Sequence, residues 1–246
     1  MRLRVRLLDA AATLHEHDIR EPLGDLFSGL GLDVVVHLAA QADVGTSVAD
    51  PVLDAEVNVL GTLNVLEAAR AHGGQVVFSS TGGAIYGDVD GPAREDSPRR
   101  PLSPYGTSKL AAEEYLATWI ELYAARHVTL RFANVYGPRQ LPKLEGGVVA
   151  IFLDRLRAGE PVTIYGDGEQ TRDWIYVGDV VDAVVAAIGM DGGVYNVGTG
   201  RETTVNALFE ACRRAAGVDT EVEHVAARPG DLLRSVLDVS RAEREL

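Results

Sequence analysis

The chain contains 246 residues, 46% of them hydrophobic, which is enough for one large α/β domain or a nucleotide-binding domain with a small second lobe. Its net charge of −13 argues against broad binding to nucleic acid or to an anionic membrane surface, because both need a positive field. The single cysteine, Cys212, excludes an internal disulfide and a multi-cysteine metal site, and the six histidines lack metal-ligand spacing, so no metal is expected.

Neither a membrane span nor a secretory signal is expected from the sequence. No run of 18 or more apolar residues occurs. Arg2, Arg4 and Arg6 alternate with apolar residues, and no apolar segment of signal-peptide type follows them. We therefore expect a cytoplasmic protein without a membrane partner.

Short β-branched segments alternate along the chain with helix-length amphipathic segments. The predicted strands cover residues 34–38, 76–78, 128–132, 162–165 and 194–197. The predicted helices cover residues 54–72, 105–125, 146–158, 178–188 and 204–216. This alternation predicts an α/β fold with a doubly wound parallel sheet. Near residue 140 the pattern changes to longer polar connections, which indicates a second, smaller lobe over 141–246.

A tyrosine and a lysine in the second of these helices form a candidate catalytic pair. Tyr105 and Lys109 are four residues apart, so both side chains lie on one helix face. An ammonium beside a phenol favours the phenolate, so we expect a lowered pKa for Tyr105, which then serves as a general base. A surface tyrosine and lysine on any amphipathic helix give the same pattern. The neighbouring pair Glu113 and Glu114 predicts a solvated face of that helix.

Hydroxyl groups follow the strand at 76–78, and they narrow the interpretation of this pair. Ser79, Ser80 and Thr81 end that strand, and the carboxyl edge of a parallel sheet is where such folds bind ligands. Hydroxyl, tyrosine and lysine in this order resemble the extended short-chain dehydrogenase/reductase family. The resemblance is strongest to its NAD-dependent nucleotide-sugar epimerases, of the UDP-glucose 4-epimerase type.

Further segments resemble the same family in the same order, from about residue 7 to the end of the chain. Residues 37–41 resemble its strand end beside the nicotinamide, and Asn58 resembles the asparagine that braces the active site. Residues 131–138, 168–177 and 228–231 resemble segments that touch nicotinamide and the diphosphate of the sugar nucleotide. The resemblance thus implies an NAD-binding domain over 1–140 and mainly a substrate-binding lobe over 141–246, with some segments returning to the first sheet.

The resemblance also implies a role for individual residues, with NAD as cofactor and a UDP-sugar as substrate. The implied catalytic residues are Thr81, Tyr105 and Lys109. The implied cofactor-binding residues are Asp9, Asp18, Ile19, Leu38, Ala39, Ala40, Gln41, Asn58, Ser79, Ser80, Tyr105, Lys109 and Phe132. The implied substrate-binding residues are Thr81, Asn134, Val148, Arg172, Arg228 and Asp231.

The implied reaction is reversible hydride transfer at the sugar C4, with rotation of the keto-sugar between the two transfers. Alternatives within the family are a 4,6-dehydratase and a decarboxylase. The family's 4,6-dehydratases carry an Asp-Glu pair after the threonine, where this chain has Gly82 and Gly83, which disfavours dehydratase chemistry. The family commonly pairs through two helices of each subunit, which here match 54–72 and 105–125, so a homodimer is expected.

One family feature is missing near the start of the sequence, namely the glycine-rich turn that places the cofactor pyrophosphate at a helix N-terminus. Residues 5–9 instead resemble the family's second strand, with Asp9 in the position that binds ribose hydroxyls. We therefore expect a Rossmann-like sheet without its first strand–helix unit, in an N-terminally truncated member. A catalytically silent relative that binds or dimerises is the alternative from a different class.

Overall fold

The structure, a computed structural model, describes residues 11–142, 147–227 and 232–246. Three of the implied site residues, Asp9, Arg228 and Asp231, lie outside the described residues. Their implied roles in binding ribose and phosphate stay predictions.

Strands and helices alternate through the described chain, as the sequence predicts. The described helices are α1 (Gly24–Leu30), α2 (Val44–Ala49), α3 (Pro51–Ala55), α4 (Gly61–His72), α5 (Gly82–Ile85), α6 (Pro104–Tyr123), α7 (Val148–Ala158), α8 (Val177–Ala187), α9 (Val205–Ala216) and α10 (Ser240–Glu245). The described strands are β1 (Val34–His37), β2 (Gln75–Thr81), β3 (Val128–Phe132), β4 (Asn134–Tyr136), β5 (Val162–Tyr165), β6 (Thr171–Arg172), β7 (Trp174–Tyr176), β8 (Gly193–Val197), β9 (Thr203–Thr204), β10 (Val222–Val225) and β11 (Arg234–Ser235).

The main sheet has four strands in the order β1-β2-β3-β8, and all of its neighbouring strands are parallel. Apolar residues cover it on both faces, because successive side chains of a strand point in opposite directions. Along β2, Val77 packs in one core cluster with Leu130, whereas Val76 and Phe78 pack in another with Leu66. The predicted α/β fold with a parallel sheet is confirmed.

Not every predicted strand joins this sheet. Residues 162–165 do form β5, but it pairs in parallel with β10 in a separate two-stranded sheet. A third core cluster, which includes Phe152, Leu156 and Phe209, packs against β5 from α7 and α9. A boundary of the lobes near residue 141 stays a prediction.

Local sequence signals explain where the helices around the sheet edge begin. The Asp43, Asp50 and Ser103 side chains accept hydrogen bonds from backbone N–H groups in the first turns of α2, α3 and α6. Between α3 and α4 the chain makes one π-helical turn, Glu56–Leu60, which contains Asn58. Such turns occur often at functional sites.

Two further observations concern the surface of the molecule. The predicted solvated face of α6 is wrong for Glu113, which is 4% exposed, because Arg131 of β3 lies opposite and forms an ion pair with it. No helix in the described ranges is both long and apolar enough to cross a membrane.

Candidate active site

Thr81 and Tyr105 meet at the carboxyl edge of the main sheet. Thr81 is the last residue of β2, and Tyr105 lies in the first turn of α6, which Ser103 caps. The Thr81 hydroxyl hydrogen-bonds to the Tyr105 hydroxyl. The fold thus brings together two hydroxyl groups that are distant in sequence.

Lys109 lies one helical turn further along α6 and is buried beneath the same edge. Its Nζ donates to the backbone oxygen of Ser79 at 2.8 Å and lies 4.8 Å from the centre of the Phe78 ring. Burial lowers the pKa of Lys109 to about 8, while the negative charges of Asp54 and Glu113 act in the opposite direction. Lys109 is therefore mainly an ammonium at neutral pH.

The expected lowering of the Tyr105 pKa is wrong for this structure. Burial raises the pKa of Tyr105 to about 12, the hydrogen bond from Thr81 lowers it, and the charge of Asp54 raises it. Burial is the largest of these contributions, and the Lys109 ammonium, which donates to the Ser79 carbonyl oxygen, is not among the groups that lower this pKa. Tyr105 is accordingly a neutral phenol at rest.

Asn58 joins the end of β1 to α6. Its Oδ1 accepts from the backbone N–H of Gln41 at 2.9 Å, and its Nδ2 contacts the Gln41 backbone oxygen at 2.9 Å, Asp54 Oδ1 at 3.0 Å and Ser108 Oγ at 3.2 Å. Ser108 Oγ in turn donates to the backbone oxygen of Tyr105 at 2.9 Å. These contacts tie Asn58 to the end of β1 and to α6, and the bracing role that the resemblance implies for it stays a prediction.

A buried histidine supports the strand end beside this brace. Thr62 Oγ1 donates to the Asn58 backbone oxygen at 2.7 Å, so its single proton is used, and it accepts from His37 Nε2 at 3.0 Å. Burial, with a smaller contribution from the positive charge of Lys109, lowers the pKa of His37 to about 3. His37 is therefore neutral and contributes no charge to the site.

The remaining implied cofactor-binding residues of the main sheet lie at or just after the ends of β1, β2 and β3. Leu38 and Ala39 are exposed and Ala40 half-buried just after β1, and Phe132 ends β3. Ser79 Oγ donates to the His37 backbone oxygen at 3.1 Å, whereas the buried Ser80 Oγ has no partner in the described ranges.

Asp18 and Ile19 lie in a loop that packs over α4 and is distant in sequence from Thr81 and Tyr105. The Asp18 carboxylate accepts from the backbone and guanidinium of Arg20, whose hydrogen bonds lower the pKa of Asp18 to about 2. The Ile19 side chain covers Gly61, where a Cβ would lie 2.7 Å from Ile19 Cδ1. A side chain at position 61 would therefore require the Ile19 side chain to shift.

The implied substrate-binding residues lie on separate elements. Asn134 begins β4, and its Oδ1 points at Gly83, 3.4 Å from where a Cβ would stand. Val148 begins α7 and is half-buried. Arg172 on β6 donates to the backbone oxygen of Leu232 at 2.8 Å.

Sequence reasoning missed Asp173, which organises the loop after β8. This carboxylate is 1% exposed and accepts from the Thr199 backbone N–H at 2.9 Å, the Thr199 hydroxyl at 2.7 Å and the Gly200 backbone N–H at 3.0 Å. A Cβ at Gly198 would stand 2.5 Å from Asp173 Oδ2. The glycines of the turn Gly198–Thr199–Gly200 indicate that another group lies close to the backbone there. They do not indicate that this group is the Asp173 carboxylate.

A parallel α/β sheet with a Thr–Tyr hydroxyl pair and a buried lysine at its carboxyl edge defines a Rossmann-type fold with a candidate redox site. The profile of the NAD dependent epimerase/dehydratase family matches residues 3–198. The chain belongs to this family.

Relatives of the chain and similar solved structures agree with that assignment. The chain is 49% identical over 218 residues to the UDP-glucose 4-epimerase of Mycolicibacterium smegmatis, covering 87% of this chain and 70% of that protein. It resembles the crystal structure of the Thermotoga maritima UDP-glucose 4-epimerase with UDP-glucose, with a TM-score of 0.94, 43% identity and 98% and 80% of the two chains covered. It also resembles the Thermus thermophilus UDP-glucose 4-epimerase in complex with NAD, with a TM-score of 0.88, 47% identity and 93% and 76% covered.

Proposed function

We propose that the protein is an NAD-dependent nucleotide-sugar 4-epimerase that interconverts UDP-glucose and UDP-galactose. The observation that carries the proposal is the hydrogen-bonded pair of Thr81 and Tyr105 hydroxyls, one helical turn from the buried Lys109 ammonium. The similarity to UDP-glucose 4-epimerases supports the substrate class.

The polar groups left at the sheet edge fit NAD. The Lys109 ammonium has three N–H donors, and its one hydrogen bond within the described residues goes to the Ser79 backbone oxygen. Ser80 Oγ is a second buried polar atom without a partner there. Lys109 would hold the ribose hydroxyls, with Gln41, Asn58 and Phe132 around the nicotinamide. Bound NAD supplies the hydride acceptor and, when oxidised, a positive charge on its ring.

The residues of this chain move the proton. Tyr105 Oη, as a phenolate, takes the proton of the sugar 4-hydroxyl and returns it after the keto-sugar has turned over. Since the pKa of Tyr105 is about 12 at rest, positive charge near its ring is needed to form the phenolate at neutral pH. Thr81 Oγ1 donates to this phenolate and stabilises it, and Lys109 contributes the fixed positive charge.

The two glycines after Thr81 favour epimerisation over a 4,6-dehydratase reaction. A Cβ at Gly82 would stand 2.5 Å from Leu237 Cδ1, so a carboxylic side chain does not fit there without moving a buried leucine. Gly83 faces Asn134, which cannot protonate a leaving hydroxyl. The site thus lacks the acid at these positions that water elimination requires.

Substrate binding would use Asn134, Val148 and Arg172, to which the family resemblance gives this role. Arg172 would bind the diphosphate, because a guanidinium matches phosphate oxygens with paired hydrogen bonds. Asn134 would contact the sugar beside Thr81, and Val148 at the start of α7 would border the pocket.

A homodimer and a cytoplasmic location are the finer parts of this proposal. Along α6, Tyr115, Trp119 and Tyr123 form a row of edge-to-face rings, with centroids 6.1 Å and 5.7 Å apart. Tyr115, Tyr123 and Leu122 are exposed, which suits a surface that packs against a second copy. Sedimentation of the protein and of Leu122→Glu tests this: a wild-type protein that sediments as a monomer rejects the dimer. The lone buried thiol, Cys212, is compatible with a reducing compartment.

Product analysis tests the reaction. The protein with NAD and UDP-glucose should form UDP-galactose, observed by proton NMR of the anomeric region, and Tyr105→Phe should lower kcat by about 10²–10⁴-fold. Tyr115→Phe, on the same helix, is the matched control and should retain activity. A 4-keto-6-deoxy product would establish a dehydratase, and no turnover together with no saturable NAD binding at millimolar concentration would establish the silent relative.

A further inference from the structure

Asp54 is a buried carboxylate next to the proposed active site that the mechanism above does not use. It lies in α3 and is 1% exposed. Its Oδ1 accepts from Gln41 Nε2 at 3.0 Å and from Asn58 Nδ2 at 3.0 Å. Its Oδ2 is buried without a hydrogen-bond partner among the described residues. An unpaired buried carboxylate oxygen is destabilising, so packing alone does not account for this side chain.

Two carboxylates act on Lys109, and Asp54 differs from the other in having no ion-pair partner among the described residues. Glu113 on α6 also acts on Lys109, but it is already paired with Arg131 at 2.6 Å. His37 on β1 is neutral, and Tyr105 on α6 is a neutral phenol at rest. Asp54 forms no salt bridge in the part of the chain that the structure describes. Asp54 is therefore a carboxylate that acts on Lys109 and has no ion-pair partner among the described residues.

We propose that Asp54 is a positioning residue of this site, whose buried carboxylate holds Asn58 against the Ser108 turn of α6 and supplies the negative charge that faces Lys109. The inference rests on the proposed function only where it concerns turnover. Asp54 touches neither hydroxyl of the Thr81–Tyr105 pair. It acts through Asn58 and Ser108 on the position of the Tyr105 turn, and through its charge on the ammonium of Lys109.

The effect of the Asp54 charge on Lys109 is tested by titrating Lys109 directly, without an assay of activity. The sequence contains two lysines, Lys109 and Lys143, so protein labelled with [13Cε]-lysine gives two NMR signals, and Lys143→Arg assigns them. Wild-type Lys109 should titrate with a pKa of about 8. Asp54→Asn keeps the acceptor for Asn58 and Gln41 but removes the charge, so the Lys109 midpoint should fall by about 1 pH unit. Asp50→Asn, an exposed N-cap of the same helix, should not move it.

Steady-state kinetics test both the charge of Asp54 and the positioning of the Tyr105 turn. In Asp54→Asn, the alkaline limb of the kcat–pH profile should move to lower pH together with the Lys109 midpoint, with KM unchanged. Ser108→Ala removes the contact between Asn58 and the Tyr105 turn while leaving Asp54 in place. It should lower kcat severalfold without moving the Lys109 midpoint, and it serves if Asp54→Asn does not fold.

The outcomes separate this inference from the proposed reaction. A Lys109 midpoint in Asp54→Asn equal to that in Asp50→Asn overturns the charge role, and wild-type kcat in Ser108→Ala overturns the positioning role. A wild-type protein that does not epimerise UDP-glucose overturns the proposed function, while a shifted Lys109 midpoint in Asp54→Asn still supports the charge role of Asp54.

Discussion

Arg131 of β3 and Glu113 of α6 form a buried two-pronged ion pair, with Arg131 Nε 2.9 Å from Glu113 Oε1 and Nη2 2.6 Å from Oε2. Each side chain is 3% exposed. Arg131 Nη1 also donates to the Tyr86 hydroxyl at 2.7 Å and to the Glu95 backbone oxygen at 2.9 Å. The pair therefore ties α6, and with it the Tyr105–Lys109 face, to the centre of the sheet.

Removing one partner of this pair should be strongly destabilising. Glu113→Gln leaves the buried guanidinium without its counter-charge, so the free energy of unfolding should fall by about 3–5 kcal/mol. Glu114→Gln is the control, because Glu114 is more than half exposed and pairs with Arg99 at the surface, where the loss should be about 1 kcal/mol or less. Urea unfolding of the two variants measures the difference, and equal midpoints would contradict the argument.

The hydroxyl of Thr81 should set the pH at which Tyr105 works. The hydrogen bond from Thr81 lowers the pKa of Tyr105, so Thr81→Val should raise that pKa further and move the acid limb of the kcat profile to higher pH. At neutral pH we expect kcat to fall by about 10- to 100-fold, which corresponds to a hydrogen bond of about 1.5–3 kcal/mol to a charged group. Thr81→Ser retains the hydroxyl and should keep the wild-type profile. An unshifted limb in Thr81→Val would show that the two hydroxyls do not interact during turnover.

Gly82 and Gly83 should differ in their tolerance of a methyl group. Gly82→Ala would place Cβ 2.5 Å from the buried Leu237 side chain, and overpacking of this kind destabilises by about 1–3 kcal/mol. Gly83→Ala meets Asn134 Oδ1 at 3.4 Å, an ordinary contact, and should unfold like the wild type. Thermal unfolding of this adjacent pair compares the two positions directly. Equal melting temperatures would mean that Leu237 moves aside freely.

The buried histidine of β1 should make stability depend on pH. The pKa of His37 is lowered from 6.5 to about 3, so between these values the unfolded chain binds a proton that the folded protein excludes. Stability is therefore lost as the pH falls from 6.5 towards 3, by about 1.4 kcal/mol per pH unit for this one group. His37→Gln, whose Nε2 can still donate to Thr62, should reduce that slope by the same amount. His72→Asn, at an exposed position, should leave it unchanged in urea titrations at several pH values.

Much of the fold and part of the site were predictable because their signals are local. The strand segments 128–132 and 162–165 coincide with β3 and β5, and the Tyr105–Lys109 spacing on α6 rests on helical periodicity alone. The hydroxyls at 79–81 end a buried strand, so their place at the sheet edge also follows from sequence. The pairing of β5 with β10, outside the main sheet, does not, since strand partners depend on contacts far apart in the chain.

The amino-acid sequence by itself was enough to place Thr81 at a strand end and Tyr105 and Lys109 on one helix face, because strand ends and helix turns place side chains by local geometry. Their catalytic role, which the family resemblance implies, stays a prediction. Only the tertiary structure decided their electrostatic states. Burial raises the pKa of Tyr105 and lowers that of Lys109, and Arg131 from another element makes Glu113 a core residue. Asp54, the first residue of a predicted helix, became part of the site only through its contacts with Gln41 and Asn58. Desolvation and charge pairing depend on what packs across space, and the local pattern of a sequence does not contain that information.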